Sequence, residues 1–467
     1  MMERFYISHL LQIPAVSHVG LADRTKEPVN NIVIDTRKVK DGDLFVAING
    51  ANIDAHDFID ESVVSQAQLC VVSKEWYTQR GHEYHNGSFL VVEDTTTTLG
   101  QLARLYRDEF QIPVIGITGS NGKTTTKEML KSVLSVKHQV CATSGNYNNL
   151  IGVPLTLFTL RRNHDIAVVE MGTNRPGEIG ALCQIANPND GIITNIGYAH
   201  MEGLSTLEDV AKEKTALYKY VANRGIRYIN ADDSYLASQK VVAGQNVIFG
   251  MDGNADVRIA GYSTNDSGST VSLEVGQNTR CDVSIPKLGR HFAYSVAGAV
   301  AVGLQYSCGL DEMKEALSAF HGAPGRMDVF RVGENTVIDD TYNANPSSVK
   351  AAVDTLDDLT TDCDKVVVLG DMLELGHRSA EYHREVGEYI AGSKVMTLMT
   401  YGSDSKEMSD AFSEIRSVKA AHYTDIGELT RTLIECMSVR TILLVKGSRS
   451  MHMELIVEKL KNSVPVT

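Results

Sequence analysis

The sequence predicts an α/β protein built from three domains. The chain has 467 residues, a length that suits about three domains of ordinary size. Short apolar runs alternate with segments of helical periodicity over most of this length, which is typical of α/β proteins. A run of threonines after residue 93 and a hinge-like GAPG turn at 322–325 interrupt the alternation. We therefore expect domains at 1–93, 94–325 and 326–467.

The composition excludes several classes of protein. The net charge of −14 argues against a nucleic-acid-binding surface, which is normally basic. The seven cysteines are far apart and form no CxxC pair, as expected for reduced thiols in a cytoplasm. No apolar stretch reaches the length of a membrane span, and the first residues do not resemble a signal peptide. We expect a cytoplasmic protein with no nucleic-acid partner and no membrane insertion.

The N-terminal residues 1–93 contain several short strand-like runs separated by polar turns. These runs are residues 32–34, 44–48, 69–72 and 89–92. They predict a small α/β unit. Residues 95–98 are threonines that precede apolar residues at helical spacing, so a helix should carry the chain into the next domain.

Residues 116–125, GITGSNGKTT, carry the strongest functional signal. They follow an apolar strand-like run and precede a helical segment. A strand, a glycine-rich turn and a helix with Lys123 and Thr124 at its start are typical of a phosphate-binding loop. Backbone N–H groups would cradle phosphate oxygens, Lys123 would reach the terminal phosphates, and the Thr124 hydroxyl would bind magnesium. The strict Walker pattern has glycine where this chain has Ile117, so a glycine-rich turn before an ordinary helix is the alternative.

Polar residues end the next two strand-like runs of the middle domain. Glu170 closes the run 166–171 and Asn195 closes the run 192–196. Functional groups collect at the carboxyl ends of strands in open α/β sheets. Glu170 is therefore a candidate metal ligand, with an exposed strand-end charge as the alternative.

Three further polar residues follow the second of these runs. His200 lies in the loop after it, where a metal ligand and a structural histidine are equally compatible with the pattern. Lys212 and Lys214 lie on the next predicted helix, which spans about 206–221. Composition alone favours a solvated helix face for both lysines.

The third domain restarts the alternation of strands and helices without a glycine-rich nucleotide motif of its own. Its strand-like runs are residues 337–340, 366–369, 395–401 and 442–446. Asp339 and Asp340 end the first run, and Tyr342, Asn343 and Asn345 follow. Carboxylates and amides before a helix suit ligand binding, although an Asx-turn with a helix N-cap explains them equally.

Several motifs occur in one order along most of the chain. They are DTR at 35–37 with GDLFV at 42–46, TGSNGKTT at 118–125, NYNNLIGVP at 146–154, EMG at 170–172, NIGYAH at 195–200, GR at 325–326, DDTYNANP at 339–346, GDMLELG at 370–376 and KGSR at 446–449. Together they resemble the Mur ligases, ATP-dependent ligases of peptidoglycan precursor synthesis. The YNANP and GDMLELG runs resemble most closely the dipeptide-adding MurF type.

The resemblance implies a central P-loop-type ATP-binding sheet, flanked by two other domains. A small N-terminal α/β domain would bind the UDP precursor, and a C-terminal Rossmann-like domain would bind the dipeptide and close on ATP. The implied reaction joins D-alanyl-D-alanine to UDP-N-acetylmuramoyl-tripeptide through an acyl phosphate, in the cytoplasm. The family resemblance also suggests a monomer.

The resemblance assigns roles to individual residues. For ATP it implies Gly119, Ser120, Asn121, Gly122, Lys123, Thr124, Thr125, His291, Arg326 and Asp340. For the substrates it implies Thr36, Arg37, Asn146, Asn149, Tyr342, Asn343, Asn345 and Lys446. For two magnesium ions it implies Thr124, Glu170, His200 and Lys214, the last as a carbamate, and Lys123, Lys214 and His200 are the implied catalytic residues. The chain departs from the family near the adenine, because Phe292 and Ser295 stand where asparagines are usual.

Three alternatives to this function remain open at the sequence level. One is another amide ligase of the same superfamily, such as the tripeptide-forming Mur ligase or folylpolyglutamate synthase. The tripeptide-forming enzyme typically carries a DNPR signature, which is absent from this sequence. Another is a transport or motor ATPase, which requires a strand ending in a Walker-B aspartate. The last is a non-catalytic nucleotide-binding protein, against which the Lys123–Thr124 pair argues.

Overall fold

The computed structural model describes residues 2–3, 5–21, 24–50, 52–198, 201–241, 244–265, 268–276, 279–359, 362–417, 419–437 and 440–462. The chain divides into two compact units. The first comprises Met1–Ile117, His138–Gly172 and Gly177–Gly191, and the second comprises Thr118–Lys137, Thr173–Pro176 and Ile192–Thr467. The strands of the described ranges form three separate sheets with helices between them. The α/β prediction is therefore confirmed, and the boundaries at 93 and 325 stay a prediction.

The N-terminal region folds as the predicted small α/β unit. Its elements are α1 (Ile7–Leu10), β1 (Ser17–Val19), β2 (Ile32–Val33), β3 (Leu44–Val46), α2 (Glu61–Gln66), β4 (Leu69–Ser73), α3 (Lys74–Arg80) and β5 (Phe89–Val92). The sheet order is β1-β5-β4-β3-β2, in which β1 is antiparallel to β5 and the other pairs are parallel. Phe45, Cys70, Trp76 and Phe89 pack in its core.

The middle region carries a long mixed sheet. Its elements are α4 (Thr95–Asp108), β6 (Val114–Thr118), α5 (Lys123–Leu134), β7 (Val140–Ala142), α6 (Gly152–Leu157), β8 (Ile166–Glu170), α7 (Glu178–Ala186), β9 (Asp190–Ile193), α8 (Leu207–Lys214), α9 (Ala216–Val221), β10 (Ile226–Asn230), α10 (Ser234–Ala237), β11 (Gln245–Gly250), β12 (Val257–Asn265), β13 (Gly268–Val275), β14 (Thr279–Ile285), α11 (His291–Gln305) and α12 (Leu310–Ser318). The strand order is β14-β13-β12-β11-β10-β9-β6-β8-β7. β13 and β14 pair antiparallel, and α11 is mostly buried.

The helix predicted over 206–221 is two helices. It divides at Thr215, between α8 and α9. The Thr215 hydroxyl donates to the carbonyl of Ala211 at 2.7 Å. The Thr215 N–H keeps its backbone hydrogen bond to the same carbonyl at 2.9 Å, and a threonine hydroxyl bound in this way often bends a helix.

The C-terminal region forms a sheet in the order β15-β16-β20-β17-β18-β19. Its elements are β15 (Asp328–Val332), β16 (Asn335–Asp340), α13 (Pro346–Asp358), β17 (Asp364–Gly370), α14 (Ser379–Ala391), β18 (Thr397–Tyr401), α15 (Lys406–Ile415), β19 (Lys419–Tyr423), α16 (Ile426–Cys436), β20 (Thr441–Lys446) and α17 (Glu454–Asn462). The pairs are parallel except β15–β16. The edge strands β15 and β19 were not predicted, because their sequences, DVFRV and KAAHY, mix apolar with polar residues and contain no long apolar run. No helix in the described ranges is long and apolar enough to cross a bilayer.

Candidate active site

The predicted phosphate loop is present between β6 and α5. All of β6 is buried, and Gly122 begins α5 with φ of 77°. Gly119 has φ of 148°, and a Cβ there would lie 1.8 Å from the Thr194 hydroxyl, so glycine is required for backbone and space alike. Lys123 Nζ donates to the carbonyls of Gly119 at 2.6 Å and Ser120 at 3.2 Å. The lysine therefore lies over its own loop, at the positive end of a helix.

The segment after β9 holds this loop in place. The Ser120 N–H donates to the carbonyl of Asn195 at 2.9 Å, and the Asn121 N–H donates to Asn195 Oδ1 at 2.9 Å. Asn195 Nδ2 donates back to the Asn121 carbonyl at 3.1 Å. Ser120 Oγ also donates to the carbonyl of Gly197 at 2.8 Å. Asn195, which the sequence placed at a strand end, therefore fixes the backbone of the phosphate loop.

Lys214 is buried, although a lysine side chain in water carries a positive charge at neutral pH. Its residue exposure is 1%, whereas Lys212, two residues earlier, is exposed. Lys214 Nζ has no hydrogen-bond partner among the described residues. Burial and then the positive charge of Lys123 lower the pKa of Lys214 well below its usual value, and Glu213 opposes the shift. The burial of Lys214 therefore disfavours the charged form of its amine.

Glu170 ends β8 in the first unit, and its exposure is 1%. Its Oε1 accepts a hydrogen bond from Asn148 Nδ2 at 2.8 Å. A Cβ on Gly172 would lie 2.8 Å from Asn148 Oδ1, so this glycine leaves room for the asparagine. Sequence reasoning missed Asn148, although it lies inside the NYNNLIGVP motif.

The other candidate site residues of the first unit lie in loops or close to the beginning of a helix. Asn149 Oδ1 accepts a hydrogen bond at 2.8 Å from the N–H of Gly152, the first residue of α6, while Asn146 is exposed. Thr36 and Arg37 lie in a short 3-10 helix, Thr36–Lys38. The exposed Arg37 guanidinium makes two 2.9 Å hydrogen bonds to Asp35, which lower the pKa of that carboxyl to about 2.

The start of the third domain approaches the phosphate loop within the second unit. Arg326 Nη2 donates to Thr124 Oγ1 at 3.1 Å, and its guanidinium lies 3.9 Å from the centre of the Tyr342 ring. Arg326 Nε is buried without a hydrogen-bond partner among the residues described. Lys287 Nζ donates to the Arg326 carbonyl at 3.1 Å and pairs with Asp328. Lys287 is a positioning residue that sequence reasoning missed.

A second cluster forms at the end of β16. Lys446 Nζ donates to Asp340 Oδ2 at 2.6 Å and to the carbonyl of Asn343 at 2.8 Å. Lys446 is 3% exposed, so the ion pair is buried on the lysine side. Asn345 is the N-cap of α13, because its Oδ1 accepts from the Ser348 N–H at 2.8 Å. The cap was the alternative to ligand binding at the sequence level, and ligand binding at Asn343 and Tyr342 stays a prediction.

His291 begins α11 and lines a cavity of about 540 Å³ within the second unit. The other lining residues are Asn195, Asn230, Asp232, Asp233, Arg290, Tyr294, Ala351, Asp354, Asp357 and Asp358. Phe292 and Ser295, the two departures from the family, are buried and do not line it. Ser295 Oγ instead accepts from Thr126 Oγ1 at 2.9 Å and so supports α5.

The metal assignment rests on four side chains. His200 lies outside the described residues. Among the described residues, no group of three or more His, Cys, Asp and Glu side chains could hold a metal ion. The hydroxyl of Thr124 and a carbamate on Lys214 are donors of another kind, so this finding leaves the assignment a prediction.

Comparison with known proteins identifies the family. The family description "Mur ligase middle domain" matches residues 117–303, and "Mur ligase, glutamate ligase domain" matches residues 325–449. The UDP-N-acetylmuramoyl-tripeptide–D-alanyl-D-alanine ligase of Bacillus subtilis is 33% identical over 93% of this chain and 94% of its own length. The Escherichia coli enzyme of that name is 34% identical over 92% and 94%.

Solved structures agree with these relatives. A crystal structure of MurF from Acinetobacter baumannii superposes with a TM-score of 0.87 at 31% identity, over 99% of this chain and 100% of that one. The MurF ligase of Thermotoga maritima in complex with ADP has a TM-score of 0.84 at 27% identity, over 93% and 97%. The chain therefore belongs to the Mur ligase family, and within it to the MurF type.

Proposed function

We propose that this protein is an ATP-dependent ligase that joins D-alanyl-D-alanine to UDP-N-acetylmuramoyl-tripeptide in peptidoglycan precursor synthesis. The observation that carries the proposal is the arrangement around the phosphate loop. Lys123 lies over the loop, and Arg326 reaches the Thr124 hydroxyl from the start of the third domain. A phosphate loop contacted by a second domain suits transfer of a phosphoryl group to a bound acceptor. Relatives named UDP-N-acetylmuramoyl-tripeptide–D-alanyl-D-alanine ligase, which match over more than nine-tenths of both chains, support the proposal.

ATP is the proposed nucleotide. The backbone of residues 119–125, at the start of α5, suits the phosphates. The buried Arg326 Nε is a donor available for a phosphate oxygen. The 540 Å³ cavity beside His291 falls within the size range of small-molecule sites, and its aspartates suit ribose hydroxyls.

The reaction follows from the chemistry of carboxylates, which are poor acyl donors. The tripeptide carboxylate attacks the γ-phosphorus of ATP, and the bond to ADP breaks, which leaves an acyl phosphate. The amine of D-alanyl-D-alanine then attacks the acyl carbon, phosphate leaves, and the amine loses a proton. Lys123 stabilises the charge that develops on the transferring phosphoryl group.

Magnesium and a carbamylated lysine complete the proposal. Lys214 fits the modification, because its amine is buried, has no hydrogen-bond partner among the described residues and has a lowered pKa that favours the neutral, nucleophilic form. Addition to carbon dioxide with loss of a proton gives an anionic oxygen donor, which magnesium prefers. Thr124, Glu170, His200 and carbamylated Lys214 would hold two ions, which neutralise phosphate charge when bound.

The substrate contacts and cellular context are proposals of the same kind. Thr36, Arg37, Asn146 and Asn149 would bind the UDP precursor, and Tyr342, Asn343, Asn345 and Lys446 would bind the dipeptide. Asp340, which accepts a hydrogen bond from Lys446, would contact ATP. We place the protein in the cytoplasm as a monomer.

The test is phosphate release from ATP and magnesium with UDP-N-acetylmuramoyl-tripeptide, with and without D-alanyl-D-alanine. The proposal expects release that requires both substrates and a product heavier by one dipeptide. Release without dependence on the dipeptide would instead indicate an ATPase or another acceptor. Absence of turnover with retained ADP binding would indicate a non-catalytic nucleotide-binding protein.

A further inference from the structure

The side chain of Asn121 points away from its own loop, toward the start of α13. Asn121 Nδ2 donates to Ser347 Oγ at 2.8 Å, and Asn121 Oδ1 accepts from Asn345 Nδ2 at 2.7 Å. Ser347 Oγ in turn donates to Asn345 Oδ1 at 3.0 Å, which closes a ring of three side chains. All three residues are half-buried.

The backbone of Asn121 is held independently of this ring. Its N–H and carbonyl are bound by Asn195, and its carbonyl also accepts from Thr194 Oγ1 at 2.5 Å. Removal of the Asn121 side chain therefore leaves the backbone anchors of the phosphate loop in place. The side chain has a separate task from the loop that carries it.

The partners of the side chain belong to the segment that we propose binds the dipeptide. Asn345 and Ser347 end the segment 342–347, which begins with Tyr342 and Asn343. Asn345 also caps α13 through the Ser348 N–H, so the segment and the helix are fixed together. A half-buried ring of hydrogen bonds holds its members in one geometry better than isolated pairs do.

We propose that the Asn121 side chain is a positioning residue that couples the phosphate loop to the dipeptide-binding segment 342–347, and that it does not bind phosphate. The proposal rests on the proposed function, because it concerns the acceptor of that reaction. The ring of hydrogen bonds thereby fixes the position of the ATP-binding loop relative to the segment that places the amine of the dipeptide.

The experiment uses the full-length enzyme and the variants Asn121→Ala, Ser347→Ala and the double variant. Lys350→Ala is the matched control, since Lys350 lies on the same helix but pairs with Glu385 at 2.6 Å. Steady-state kinetics give KM for D-alanyl-D-alanine, and calorimetry gives Kd for ADP. We expect each single variant to raise KM for the dipeptide about fivefold, which corresponds to about 1 kcal/mol for one lost hydrogen bond. ADP affinity should stay within about twofold of wild type, and the double variant should be no worse than the weaker single variant.

Two results would overturn the inference. One is weakened ADP binding by Asn121→Ala with an unchanged KM for the dipeptide, which would place the side chain on the phosphates. The other is a double variant with additive losses, which would show that Asn121 and Ser347 act separately. A wild-type enzyme without dipeptide-dependent phosphate release would remove the proposed function itself, so the two failures are distinguishable.

Discussion

Arg326 donates a hydrogen bond to the hydroxyl of Thr124 at 3.1 Å, across 202 positions of sequence. The same guanidinium lies 3.9 Å from the centre of the Tyr342 ring. A planar cation suits both contacts, whereas an ammonium group supplies neither the stacking plane nor the fork of donors. The beginning of the third domain therefore contacts the first turn of α5, the helix that follows the phosphate loop.

Replacement of Arg326 by lysine should lower kcat about fivefold or more, because a stacked cation contributes about 1 kcal/mol or more to the arrangement. Single-turnover measurement of ADP formation tests this expectation. Arg331→Lys, on the exposed part of β15, is the control for a generic effect of the exchange. Equal rates in all three proteins would contradict a role for the guanidinium.

Replacement of Lys123 by alanine should reduce ADP formation by about 10² to 10³-fold, because one charge-stabilising donor is lost from the phosphoryl-transfer site. The fold should survive, since Lys123 is only half-buried and bonds to its own loop. Lys131→Ala is the matched control, on an exposed position of the same helix. Near-normal turnover of Lys123→Ala would refute the phosphate-loop assignment.

Replacement of Lys214 by alanine should abolish ligation, and short carboxylic acids should restore part of it. An added acid can supply the anionic oxygens of the missing carbamate in the space that the side chain leaves. Lys212→Ala, two residues away and exposed, should keep normal activity and show no response to acids. Full activity of Lys214→Ala without added acid would return this lysine to a structural role.

The buried pair Lys446–Asp340 should contribute far more to stability than the exposed pair Lys350–Glu385. The Lys446 and Asp340 side chains are 3% and 15% exposed, whereas the Lys350 and Glu385 side chains are 27% and 52% exposed. Lys446→Met leaves a carboxylate without its partner, which costs about 3–5 kcal/mol. Lys350→Ala should cost less than about 1 kcal/mol. Urea unfolding of both variants measures the difference, and equal losses would contradict it.

Cys70 should make stability fall at high pH. Burial raises the pKa of the Cys70 thiol from 9.0 to about 12. The unfolded chain therefore loses this proton first, so the contribution is fully present below pH 9 and is lost as pH rises toward 12. Cys70→Val should unfold with a shallower pH dependence between these values. Native Cys70 should also resist iodoacetamide at pH 8, in contrast to the more exposed Cys363. Identical slopes for both proteins would contradict the assignment.

The elements that sequence reasoning found are those set by neighbouring residues. The phosphate loop depends on a strand, a glycine turn and a helix that are contiguous in the chain. Helix α4, predicted from apolar residues at helical spacing after the threonines 95–98, is another such element. The edge strands β15 and β19 were missed, since their sequences, DVFRV and KAAHY, mix apolar with polar residues and contain no long apolar run.

By itself the sequence determined the α/β class, the phosphate loop and, through ordered motifs, the family. Only the tertiary structure decided which polar groups meet. Composition gave Lys212 and Lys214 the same solvated face, but the packing of α8 buries only Lys214. The fold shows that Asn345 caps α13 and also holds Asn121, while a contact of Asn345 with the dipeptide stays a prediction. Burial and contacts between residues 200 positions apart depend on how elements pack, and no local pattern encodes that.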